Sequence, residues 1–196
     1  MHTDKKRYIL GADPGKHGAI ALLNADFNPN KLSAADLILI PVKKTKDGRL
    51  DVDHIYTALL PYADNIVLVV QERVHALFGS SATGTFEFGD ANGALRTTLQ
   101  LLGYASSSRK PFKVHVVSPP VWQKVAWLPD HLIYEDKMTK IGARRKKDTK
   151  ATSTKAAQSI FPGVSFIPPR CRIVHDGLVD AALIAYYGFK KLLVNK

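Results

Sequence analysis

Four carboxylates stand where solvated surface charge seldom sits. Asp13 ends the apolar run Tyr8-Ile9-Leu10-Gly11-Ala12, and Glu72 ends another, Ile66-Val67-Leu68-Val69-Val70-Gln71. Asp176 and Asp180 open the segment His175-Asp176-Gly177-Leu178-Val179-Asp180-Ala181-Ala182-Leu183-Ile184-Ala185. A spacing of four puts both on one face of a helix, about one turn apart. Gathered without a partner, such groups repel one another and titrate abnormally. A divalent cation removes that conflict: Mg²⁺, with Mn²⁺ as a substitute, prefers hard oxygen ligands and keeps positions open for water and phosphate. Two ions roughly 3.5–4 Å apart can activate a water and stabilise the leaving oxygen of an in-line displacement at phosphorus. Each residue also has a plainer use. Asp13 before Pro14-Gly15 can form a turn, Glu72 can be a paired structural carboxylate, and Asp176 can cap a helix. Asp180 is hardest to explain away, because its neighbours are apolar and a carboxylate among them is costly without a partner.

The bases complement the acids. The 196 residues carry 28 Lys and Arg against 17 Asp and Glu, a formal charge of +11, which points to a polyanion and first to nucleic acid. Eight basic residues (Lys137, Lys140, Arg144, Arg145, Lys146, Lys147, Lys150 and Lys155) and one acid, Asp148, fall between positions 137 and 155, so the charge is concentrated. Acids to hold metal ions beside bases to hold phosphates are what a metal-dependent nuclease needs. A hydrophobic content of 45% suffices for one buried core at this length. The single Cys171 calls for no oxidising compartment. The apolar runs are too short to span a bilayer, and Met1 to Lys6 lead into no signal-peptide core. The expectation is a cytoplasmic protein with no membrane partner.

The elements that must position these groups follow from patterning. Arg7 to Ala12 and Ala19 to Asn24 read as two strands around the turn Asp13 to Gly18, and Leu37 to Ile40, stopped by Pro41, as a third. Val52, Ile55, Leu59 and Leu60 recur at helical spacing behind Asp51. Ile66 to Val70 reads as a central strand covered on both faces. Helical spacing resumes from Phe88 to Leu102, where Gly103 supplies a stop, and Lys113 to Val117 is a fifth strand ended by Pro119-Pro120. After a short amphipathic piece around Trp122 to Trp127, Leu128 to Lys150 lacks periodicity and reads as a long basic loop. Helices over Thr149 to Ile160 and Asp176 to about Leu193 complete a β-β-β-α-β-α-β-α-α order. This implies one α/β domain over 1–196, a five-stranded mixed sheet flanked by helices.

At this point the residues resemble a family, the RuvC-like Holliday-junction resolvases of the ribonuclease H-like superfamily, and phage-type members in particular. The carriers are Ile9-Leu10-Gly11-Ala12-Asp13-Pro14-Gly15 with Gly18-Ala19-Ile20-Ala21, Val69-Val70-Gln71-Glu72, Phe88-Gly89-Asp90-Ala91-Asn92-Gly93 and His175 to Ala185, in matching order from Tyr8 to Tyr187. The resemblance implies a ribonuclease H-like fold and a homodimeric endonuclease that nicks opposed strands of a four-way DNA junction with Mg²⁺, leaving 5′-phosphate and 3′-hydroxyl ends. Carried across, Asp13 is the shared metal ligand, Glu72 the ligand from the second strand, and Asp180 the ligand from the last helix. The family commonly places an acid or His three residues before that last Asp. Here Gly177 stands there, and Asp176 is the substitute on the same helical face. His175 is a possible helper or a cap.

The resemblance also assigns Lys150 to steadying charge on the scissile phosphate, although a Lys in a basic run can equally be a solvated charge. An aromatic wedge that stacks on junction bases corresponds here to His75, with Phe78 three residues on. Phe78, Phe86 and Phe88 could stack on unpaired bases or fill a dimer interface. Arg144, Arg145, Lys146, Lys147, Lys150 and Lys155 are the expected phosphate contacts. Three other functions compete. An actin-like ATPase needs two half-domains, and only one fits here. A non-catalytic nucleic-acid binder predicts indifference to metal. A related nuclease acting on RNA–DNA hybrids or flaps differs only in its products.

Overall fold

The structure is a computed structural model that describes residues 6–15, 17–28, 36–74, 81–139 and 142–193, with backbone alone for 137–139 and 142–144. Strands β1 (Tyr8–Asp13) and β2 (Ala19–Asn24) pair antiparallel from Tyr8 opposite Asn24 to Asp13 opposite Ala19. The Gly18 amide donates to the Gly15 carbonyl at 2.8 Å and closes the turn between them. Strand β3 (Leu37–Pro41) extends the β2 edge antiparallel. On the other side β4 (Ile66–Glu72) lies parallel to β1, and β5 (Val114–Val117) parallel to β4. The resulting order is β3-β2-β1-β4-β5.

Strand alternation decides what each face carries. Tyr8, Leu10, Ala12, Ile20, Leu22 and Val69 are buried beneath α1 (Val52–Leu59) and α2 (Ala82–Leu102). Ile9, Ala21, Leu23 and Val70 are buried on the opposite face with α3 (Pro119–Ala126), α4 (Thr149–Ile160) and α5 (Asp176–Tyr187). Helix α1 starts where the sequence places its cap, with Asp51 Oδ1 accepting from the His54 amide at 2.9 Å. Helix α5 is apolar nearly all round because it lies in the core against β1 and β2. Its α-helical hydrogen bonding ends at Tyr187, and Gly188–Leu193 continue as a π-helix.

Several expectations are corrected. Helix α2 begins six residues before Phe88, capped by Ser81 Oγ, which accepts from the Gly84 amide at 3.0 Å. Its first half is largely exposed, so no apolar period marks it. Pro119-Pro120 do not merely end β5; they open α3, where the missing amides cost nothing. Strand β4 is covered without interruption only over Val69–Gln71, since Val67, after the buried Ile66, is 45% exposed. The stretch expected as a loop holds an antiparallel hairpin, β6 (Tyr134–Thr139) and β7 (Gly142–Lys147). This ribbon forms a separate two-stranded sheet, so its strands show no apolar alternation to read. Its register instead sets Glu135 opposite Lys146 and Asp136 opposite Arg145, the opposite-charge pairing that stabilises an exposed ribbon. No described helix is long and apolar enough to cross a membrane.

Candidate active site

The same alternation aims the acids. In β1, position 13 shares the face of Ile9, and in β4, position 72 shares the face of Val70; both are the face on which α5 lies. The parallel register pairs Ala12 with Gln71, so Asp13 and Glu72 follow side by side at the carboxyl ends of adjacent strands. Helix α5 approaches β1 so closely that a Cβ at Gly11 would collide with the Ala181 carbonyl and the Ala185 amide. Asp180, next to Ala181, is thereby carried to the strand ends. Gly177 is equally constrained, since a Cβ there would strike the His17 carbonyl in the β1–β2 turn. No side chain fits at position 177, and the carboxylate on that turn of the helix belongs to Asp176, one residue earlier.

The electrostatics match this convergence. Asp13 is pushed up to about 7, first by burial and then by Glu72 and Asp176, against the Gly15 amide, which donates to Asp13 Oδ1 at 2.9 Å. Glu72 is pushed up to about 7 by burial and by Asp180, against the Trp122 indole N–H, which donates to Glu72 Oε2 at 2.8 Å. Asp180 is also pushed up to about 7 by burial, Asp13 and Asp176, against a hydrogen bond from Ser153 and the charge of Lys150. Asp180 Oδ1 is buried with no hydrogen-bond partner. Asp176 sits at the rim, 43% exposed, with Lys150 Nζ 2.5 Å from its Oδ2. That contact raises the Lys150 pKa through both the hydrogen bond and the charge of Asp176.

Among the described residues no three His, Cys, Asp or Glu side chains are placed closely enough to hold a metal ion as they stand. The donor chemistry nonetheless fits a hard cation. The gathered groups are all carboxylates, three of them held near neutrality by burial and mutual repulsion, and one buried oxygen lacks a donor.

Lys150 belongs to this site through local structure. Strand β7 runs straight into α4, whose cap is Asp148, with Oδ1 accepting from the Ala151 amide at 3.0 Å. Lys150 and Ser153, three residues apart, share one helical face and line a small pocket with Gln123, Asp176 and Asp180. His175 acts as the cap of α5, its Nδ1 accepting from the Leu178 amide at 3.2 Å. Among the expected phosphate contacts, Arg145 lies over the Tyr134 ring at 4.5 Å and Lys147 over the Trp127 ring at 5.2 Å. Lys146 is exposed on the same strand. Lys155 instead donates to the Asp130 carbonyl. The Arg144 side chain, His75 and Phe78 lie outside the described residues. Phe86, 77% exposed, and Phe88 line an open groove with Gly15, Lys44 and Arg49, on α2 rather than among the carboxylates.

Sequence reasoning missed Trp122 and Ser153. The only signal for Trp122 was general: a buried indole needs an acceptor for its N–H. Ser153 was marked only by its helical spacing from Lys150.

A stability measurement tests the burial of these acids. Asp13 and Asp180 titrate near 3.8 when unfolded and near 7 when folded. The folded protein therefore keeps protons that the unfolded chain releases. Stability from this source is fully present below about pH 4 and is lost as pH rises to about 7. In chelator, Asp13→Asn is expected to be more stable than wild type above pH 7, by roughly 2–4 kcal/mol at most. The advantage vanishes near pH 4. Paired denaturant titrations at pH 4 and pH 8 check this, and equal stabilities at pH 8 contradict it.

No family model matches the chain, and no curated protein sequence matches it. Among solved structures the chain is similar to RuvC of T. thermophilus, determined in complex with Holliday junction substrate. The likeness covers 96% of both chains at a TM-score of 0.51 and 15% identity. With the strand order above, it shows that the five-stranded mixed sheet and its helices form a ribonuclease H-like fold.

Proposed function

We propose that this chain is a metal-dependent, structure-selective DNA endonuclease that resolves four-way junctions by paired symmetric nicks. The observation that supports it best is the gathering of Asp13, Glu72 and Asp180 at the strand ends beside a basic ribbon, each with its pKa raised first by burial and then by a neighbouring carboxylate: Asp13 by Glu72 and Asp176, Glu72 by Asp180, and Asp180 by Asp13 and Asp176. Asp13, Glu72, Asp176 and Asp180 are the residues that would hold Mg²⁺ or Mn²⁺, with Asp13 central. When bound, a pair of such ions supplies Lewis-acid activation of the attacking water and of the phosphodiester. The chain supplies the rest. The Gly15 amide and the Ser153 hydroxyl orient Asp13 and Asp180, and Lys150, released from Asp176, meets the developing charge on the scissile phosphate. Arg145, Lys146 and Lys147, with Arg144 on the same strand, hold the flanking phosphates.

The main competing reading is a related nuclease of the same fold acting on other branched DNA or on RNA–DNA hybrids. The RuvC structure, which contains a Holliday junction, favours the junction. Paired nicks with Mg²⁺ on a synthetic four-way junction, and none in chelator, are the expected result. Digestion of a hybrid instead would favour the other nuclease, and binding without cleavage a non-catalytic binder. The same reading makes the protein a homodimer of phage type, for which gel filtration on the junction complex expects two copies per junction.

The ribbon carries its own prediction. Replacing Arg145, Lys146 and Lys147 together with Ala should weaken junction binding and lower the steepness of log K against log salt by about 2–3. Binding titrations between 50 and 200 mM salt (about the range over which phosphate contacts are most visible) read both. An unchanged slope removes the ribbon from the interface.

A further inference from the structure

Glu72 closes β4 opposite Val117 of β5, and the Arg73 amide donates to the Val117 carbonyl at 2.6 Å, so the two strands end together. The chain then turns through Ser118 and two prolines directly into α3. Five residues after Val117, this returns the Trp122 side chain over the strand ends, where it is 1% exposed. Its only polar atom, the indole N–H, reaches Glu72 Oε2 at 2.8 Å. The ring is fixed in turn by Trp127, which meets it edge-on at 6.1 Å between centroids, and the outer side of that neighbour carries Lys147 of the basic ribbon. A rigid aromatic donor therefore sets the torsion of a carboxylate that would otherwise rotate about three bonds.

From this geometry we infer that Trp122 is a positioning residue: its indole N–H engages Oε2 of Glu72 and presents the other carboxylate oxygen to the divalent cation. The inference rests on the nuclease reading, since it gives Glu72 a metal to face. Outer contacts of this kind fix the ligand's orientation, and their loss costs about 10–100-fold in metal affinity. Trp122 is the group in contact with Glu72 whose donor can be removed while its shape is kept.

The test measures Mn²⁺ binding by the magnetic resonance signal of free Mn²⁺, and does not depend on cleavage. Trp127→Phe keeps an aromatic ring beside Trp122, leaves Trp122 as the sole tryptophan, and is the parent against which Mn²⁺ binding is compared. In that protein, replacing the remaining tryptophan by 3-benzothienylalanine, which has the same outline but sulfur in place of N–H, should weaken Mn²⁺ binding about 10–100-fold. Trp122→Phe should do the same. When Glu72→Gln is also present, loss of the donor should change residual binding by no more than about twofold. Undiminished affinity in the benzothienyl protein overturns the role of Trp122 and leaves the nuclease reading standing. An equal loss on the Glu72→Gln background also overturns it, because the ring then acts through something other than Glu72. If the parent protein binds no Mn²⁺, the nuclease reading falls and the inference falls with it.

Discussion

Asp13→Asn is expected to cut the rate of junction cleavage by roughly 10³-fold or more while junction affinity stays near wild type. Glu72→Gln and Asp180→Asn should behave alike. The substitutions keep shape: in Asp13→Asn the side-chain carbonyl can still accept from the Gly15 amide, as the Asp13 carboxylate does at 2.9 Å. What is lost is the negative charge, and with it the proposed hold on a divalent cation. Binding is expected to survive because the proposed phosphate contacts lie on the ribbon and α4, away from β1, which carries Asp13. The stability result separates this from simple damage. A variant that cuts poorly because it is misfolded loses stability, whereas Asp13→Asn in chelator should gain it above pH 7, where the buried charge costs most. Gel-based cleavage with saturating Mg²⁺, binding in Ca²⁺ or chelator, and a melt at pH 8 make the comparison. Cleavage at the wild-type rate by either Asp13→Asn or Glu72→Gln removes the metal-site assignment.

How much of this was legible in the sequence depended on what each segment packs against. The first and fourth strands are continuous apolar runs because both faces of β1 and the last half of β4 are covered, and burial writes itself into composition. Glu72 and Asp180 stood out for the complementary reason: a charge at the end of, or inside, such a run needs a partner. The ribbon was illegible because β6 and β7 pair only with each other in a separate two-stranded sheet, so no buried face writes an apolar alternation into their sequence. The exposed first half of α2 left no period for the same reason. The family resemblance, with helical spacing, suggested that Asp176 stands in for an acid at 177. Why 177 itself holds no side chain lies in the contact between Gly177 and the His17 carbonyl, which joins positions 160 residues apart in the chain. The Trp122–Glu72 bond, 50 residues apart, is likewise a product of topology.

The second large effect concerns Gly11, which carries no functional group. Gly11→Ala is expected to destabilise the protein by roughly 3 kcal/mol or more, lowering the melting temperature by about 6–12 °C. The added methyl would meet the Ala181 carbonyl and the Ala185 amide, with Ala185 Cα at 2.9 Å. All three are backbone atoms in the middle of α5, and no rotamer change moves them. Relief requires lifting the helix from β1, and the helix carries Asp176 and Asp180 while the strand carries Asp13. The variant should therefore lose Mn²⁺ affinity as well as stability, even under conditions where it remains folded. Gly89→Ala is the control. It lies in the exposed half of α2 with nothing within 4 Å of the new Cβ, and should stabilise by about 0.5–1 kcal/mol through helix propensity alone. Thermal melts of both variants and Mn²⁺ titrations at a temperature where both are folded read the difference. If Gly11→Ala melts with wild type and binds Mn²⁺ as tightly, then the close approach of α5 to β1 is not what brings the carboxylates together.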